Sequence, residues 1–261
     1  MEMNPADGQF LGMVGVNVWS FIGLNASALF SAFVASIAGT AGGLILIGLM
    51  ALVFPPALLI PVHTIVQLGA AVSLGTSRWR YMLWDKLPPF VVGTVIGATI
   101  GGQIFIGLSE SVLLFILGVS ILSLSWVPKL AQFGPEKGRF VLVGFVVTFL
   151  GVFISATGTL LAAFTAPAAP DRRNHIAMVG MLMSIVHIAK LIAFGLLGVS
   201  FGSYVPLIAT MIVMSFLGTW VGKHAMDRIP ERVFRTGFQV LLTLLGFRLV
   251  WLAADASFNL N

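Results

Sequence analysis

Two short runs of glycine and hydroxyl residues, one lysine and one amide–imidazole pair are where this chain could do chemistry. Gly39-Thr40-Ala41-Gly42-Gly43 interrupts one apolar stretch, and Ser155-Ala156-Thr157-Gly158-Thr159 interrupts another. A break inside lipid is tolerated only where its freed backbone groups face protein or a wet cavity. Each break also starts a new half-helix, at Leu44 or Leu160, whose unpaired N–H groups and positive dipole end suit an anion. Thr40, Ser155, Thr157 and Thr159 add hydroxyl donors. Close helix packing around Gly42, Gly43 and Gly158 is the structural alternative, and the matched placement of the two breaks favours a site.

Lys190 is the only lysine within an apolar segment and lies one turn beyond His187. An ammonium in lipid costs several kcal/mol. None of the nine acidic residues falls clearly inside a segment to offset it, so an anionic substrate is a natural partner; snorkelling to the outer interface, about 12 Å away by helix rise, is the alternative. Gln67 and His187 each lie about eleven residues into a helix, ~16 Å along it, which is near mid-membrane. They are either interhelical glue or substrate contacts, and His187 could carry a coupling proton because an imidazole titrates near neutrality. Arg248 reads as a snorkelling residue. His63, four residues before Gln67 but near the outer helix end, reads as interfacial.

These residues sit in a chain of 261 residues with 58% hydrophobic and only 9% charged residues, against roughly 25% charged in a soluble domain. This composition belongs to a membrane protein. It excludes disorder, a coiled coil and a nucleic-acid-tracking surface. With Cys 0 there is no disulfide, thiolate metal site or cysteine nucleophile. No GxxxxGK[ST] or HExxH pattern is present, no cofactor is implied, and a Ser-His-Asp arrangement lacks its acid. The chain is expected not to be an enzyme. Gly93, Gly97 and Gly101 recur every four residues and read as a close-packing seam. Trp79, Tyr81 and Trp84 read as an interfacial belt.

The elements that must position the site are apolar segments near 23–40, 43–59, 60–77, 88–107, 111–127, 140–157, 159–170, 175–198, 203–222 and 234–254. The first ten residues lack a basic n-region and do not read as a cleaved signal peptide. The two halves repeat: Gln67 falls on His187 and Gly75 on Gly195 at a shift of 120, and Gly42 on Gly158 at a shift of 116. Basic residues cluster in four loops, Arg78 to Lys86, Lys129 to Arg139, Arg172-Arg173 and Lys223 to Arg235, which the positive-inside rule places in the cytoplasm. Both termini then lie outside, and the halves are inverted. The expected fold is all-α and polytopic, with a lead-in at 1–22, repeats at 23–127 and 140–256, and a cytoplasmic linker at 128–139. Whether the first two segments of each half span fully or form a re-entrant hairpin is left open. Inverted repeats are a plan of secondary transporters, with substrate bound near the midplane.

The first glycine break, the apolar run after it, Pro55-Pro56, the small and polar helix to Gly75-Thr76-Ser77 and the weaker second copy together resemble the TauE/SafE sulfite exporter family, over about residues 23 to 254. The family's break is often richer in glycine and followed sooner by proline. The resemblance implies transport of small anions, often sulfur-containing ones such as sulfite, sulfoacetate or thiosulfate. The expectation is an inner-membrane exporter in which Thr40, Gly42, Gly43, Ser155, Thr157, Gly158 and Thr159 bind the anion's oxygens, Lys190 supplies charge, and Gln67 and His187 orient. Its partners are the bilayer, a small anion and a coupling proton that export does not require. A passive anion channel and a carboxylate transporter are the rival readings. The sequence sets no oligomeric state.

Overall fold

The computed structural model describes residues 10–38, 42–76, 78–126, 139–155, 157–225 and 231–258. Among them ten α-helices occur and no strand. They are α1 Val18–Ala38, α2 Gly42–Met50, α3 Pro56–Thr76, α4 Leu87–Gly107, α5 Glu110–Trp126, α6 Arg139–Ile154, α7 Thr157–Thr165, α8 Arg172–Leu196, α9 Val205–Ala225 and α10 Glu231–Phe258. Six described helices are long and apolar enough to cross a membrane. The chain is therefore the all-α polytopic membrane protein its composition implies.

Helix limits follow local chemistry. Asn17 caps α1 by accepting from the Ser20 amide at 2.8 Å, so the expected lead-in ends earlier than residue 22. Before it, Gly12 and Gly15 take φ of 76° and 75° to form tight turns. The expected segments 43–59 and 60–77 are also corrected: α2 stops at Met50 and α3 starts at Pro56. Proline has no amide to continue a helix but fits its first position. In the second half Pro167 lies in a 3₁₀ turn, Ala166–Ala168, and α7 ends at Thr165 rather than near 170. Asp171 caps α8, accepting from the Arg173 and Asn174 amides at 2.7 and 2.9 Å.

The half-helices α2 and α7 have nine residues each, about 14 Å at ~1.5 Å per residue, under half of a ~30 Å hydrocarbon core. Neither can cross alone. The hydrophobic pair in each half is thus a long helix followed by a half-helix.

Helix pairing exchanges the halves. Gly93, Gly97 and Gly101 of α4 face α6, where a methyl on Gly97 would lie 2.6 Å from the Phe145 carbonyl oxygen, and Gly144 of α6 faces Phe90 in return. The neighbours advance together, Gly93 on Val141, Gly97 on Phe145 and Gly101 on Val152, so α4 and α6 run parallel. Likewise α1 and α9 run parallel: Tyr204 donates to the Val14 carbonyl at 2.9 Å near their starts, and Gly218 abuts Leu29 further on. The mates α3 and α8 are antiparallel, with Gly75 against Gly180 and Asn174 donating to the Tyr81 carbonyl at 2.7 Å beyond them. That bond, with Arg173 Nη1 to Tyr81 Oη at 3.2 Å, puts two basic loops on one side. Helices α5 and α10 meet through Gly118 and Gly246.

Two apolar cores result. One draws on α1, α2, α3, α5, α9 and α10, joined by Phe105, Val152, Phe153 and Phe194; the other draws on α4, α6, α7 and α8. Each core draws on both halves of the chain, and α3 packs on α8 between them.

Candidate functional site

At the second break, α6 ends and Ser155 turns the chain with φ 55°, an uncommon conformation for a residue with a Cβ. Its amide still donates to the Gly151 carbonyl at 3.0 Å, a left-handed helix stop. The Lys190 ammonium donates to that same carbonyl at 2.7 Å and to Ser155 Oγ at 3.2 Å. Lys190 is 0% exposed, and no Asp or Glu is buried among the described residues. What offsets its charge is the negative end of the α6 dipole. The lysine is thus held by backbone on one side, while an ammonium has a third N–H to offer.

Half-helix α7 begins two residues after Ser155. The first-turn amides of a helix have no intrahelical acceptor, and here Thr157 Oγ1 and Thr159 Oγ1 are buried with no hydrogen-bond partner. Gly158 lies buried between them. The Thr157 methyl folds back over Gly151, so the broken ends of α6 and α7 touch. One turn before Lys190, His187 is 0% exposed with neither ring nitrogen paired.

The first break has a related construction. Gln67 Nε2 stands where a Cβ on Gly43 would meet it at 2.5 Å, placing the amide at the start of α2. Gly42 instead abuts Ala35 and the Ser31 carbonyl of α1, and so serves helix packing. Thr40 lies outside the described residues. His63 departs from the interfacial role expected for it: it is 0% exposed, with Nε2 3.1 Å from the Gly43 carbonyl oxygen and Nδ1 unpaired. The shortness of α2 explains this, because its first turn packs against α3 and sets the Gly43 carbonyl beside His63.

Packing of α3 on α8 brings residues flanking the two breaks together. His63, His187 and Lys190 lie within electrostatic reach of one another. At the end of the bundle away from the Tyr81 loop, Phe105 stacks obliquely on Phe194 and Phe153 at 5.3 and 6.4 Å, and Phe149 meets Phe153 at 5.4 Å. These rings cover the turn after Lys190. Arg248 is exposed on α10 and takes no part. Sequence reasoning missed His63, whose only signal was its place four residues before Gln67, and the Gly151 carbonyl, which carries no sequence signal.

Residues 24–249 match the family model described as Sulfite exporter TauE/SafE. The chain belongs to this family. TauE/SafE proteins are membrane transporters of small anions such as sulfite rather than enzymes, and the matched stretch begins in α1 and ends in α10, so it contains both breaks. Comparison of this TauE/SafE chain with curated proteins and with solved structures gave no match.

Proposed function

We propose that the protein exports sulfite or a closely related sulfur oxyanion across the inner membrane by alternating access, with both termini outside and the repeats at 23–127 and 140–256 as its two inverted halves. The observation that carries this reading is a buried locus containing an ammonium, unpaired hydroxyls and a half-helix N-terminus, with no buried carboxylate among the described residues. Such a locus offers donors to an anion and repels cations. Lys190 supplies charge, Thr157, Thr159 and Ser155 supply donors with the amides of α7 near Gly158, and Gln67, Gly43 and His187 orient from the other side.

An inside-negative potential drives each exported negative charge by ~2.3 kcal/mol per 100 mV, so export needs no proton gradient. The reading is tested with purified protein in vesicles loaded with radiolabelled sulfite. Saturable efflux, inhibited by external sulfite and lost in Lys190→Met, is expected. Flux that rises linearly with concentration would instead describe a passive channel, and preference for simple carboxylates over sulfite would remove the sulfur assignment.

A further inference from the structure

The unpaired nitrogen of His63 extends this reading to the protonation state of the cargo. Gly43 O can only accept a hydrogen bond, so His63 Nε2, at 3.1 Å, carries a hydrogen and donates. In the neutral ring Nδ1 is then a lone-pair acceptor, buried and without a donor. Lys190 within electrostatic reach and the absence of a buried carboxylate among the described residues make the neutral ring the form that adds no second positive charge. His187, also within reach, has both nitrogens unpaired, so no described protein group donates to His63 Nδ1. A buried acceptor of this kind costs free energy until a donor arrives.

The Lys190 ammonium, the two threonine hydroxyls and the first-turn amides of α7 can all donate to an anion, and His187, unpaired at both nitrogens, can present either a donor or an acceptor, whereas His63 Nδ1, with Nε2 committed to Gly43, can only accept. A fully deprotonated oxyanion satisfies the donors and leaves His63 Nδ1 orphaned. An oxyanion with one acidic hydrogen satisfies both kinds of group. We infer that His63 Nδ1 accepts a hydrogen bond from the O–H of a monoprotonated oxyanion, making hydrogensulfite-like monoanions the selected class.

This inference rests on the export reading and adds two consequences to it. Each turnover moves one negative charge instead of two, and it carries an acid equivalent outward with the cargo, without a separate proton site.

The test measures how external anions compete with sulfite efflux from vesicles at fixed pH. Hydrogensulfite, hydrogenselenite and bicarbonate carry an acidic hydrogen; methanesulfonate and nitrate have the same charge and none. Hydrogen-bearing monoanions are expected to compete about tenfold better, the ratio that ~1.4 kcal/mol represents. His63→Leu and His63→Ala both remove the acceptor at Nδ1, whereas a glutamine would leave one at Oε1. Both are expected to bring that ratio close to one. Discrimination that persists in them, or competition without discrimination in the unaltered protein, overturns the role of Nδ1 and leaves the export reading standing. Absence of competition by every anion removes both.

Discussion

The ammonium of Lys190 and the carbonyl of Gly151, 2.7 Å apart, tie the C-terminal part of α8 to the last turn of α6. A cation at a helix C-terminus is favoured by the carbonyl dipoles there. The bond therefore does two things: it makes a buried charge tolerable, and it fixes the ammonium beside the N-terminus of α7.

Lys190→Met keeps the stem and removes the charge. Gly151 O retains the Ser155 amide, so folding should survive, with a melting temperature within a few degrees of the parent. Saturable sulfite efflux should fall at least tenfold. Lys190→Arg, whose planar fork differs from a compact ammonium, should rescue only part of it. Unchanged efflux in Lys190→Met would sink the charge assignment.

Thr157→Val and Thr159→Val replace hydroxyls that have no partner. Removing an unsatisfied buried hydroxyl should stabilise the protein by up to ~1 kcal/mol and weaken sulfite affinity several-fold, because a ligand donor is lost. Thermal unfolding and efflux kinetics read these separately. Loss of stability with unaltered affinity would mean that the hydroxyls serve the fold alone.

Gly97→Ala and Gly195→Ala should act oppositely. A methyl on Gly97 reaches 2.6 Å from a backbone oxygen of α6, whereas one on Gly195 meets nothing within 4 Å. The first should destabilise by about 1–3 kcal/mol; the second, on an open helix face, should stabilise by about 0.5–1 kcal/mol. Denaturation of both variants in detergent checks the sign.

Because the chain has no cysteine, introduced thiols report sidedness without background. Trp84→Cys, beside the Tyr81 loop, and Ser109→Cys, between α4 and α5, should label from opposite faces of intact cells with an impermeant reagent. Ser109→Cys should react from outside. Labelling of both from one face would mean that α4 does not cross the membrane.

Much of this fold is legible in the sequence because membrane helices are read from apolar length and charged loops. The same logic exposes Lys190 and His187, since an apolar run makes any ionisable residue conspicuous. The boundary at Pro55-Pro56 was less legible, because Leu44 to Met50 and Leu58 to Ile60 have one hydropathy and only the missing proline amide divides them. His63 was misread for a geometric reason: distance from a helix end gives depth only when neighbouring helices span fully, and α2 does not. The acceptor for Lys190 is a backbone carbonyl, a group every residue carries. It becomes special only where Ser155 stops the helix.

The exchange of partners between halves, α1 with α9 and α4 with α6, bears on how the protein is assembled. While residues 1–126 are being inserted, the glycine face of α4 has no α6 to meet and must be held by lipid or by the insertion machinery. Expressed alone, residues 1–126 would present that face unpaired.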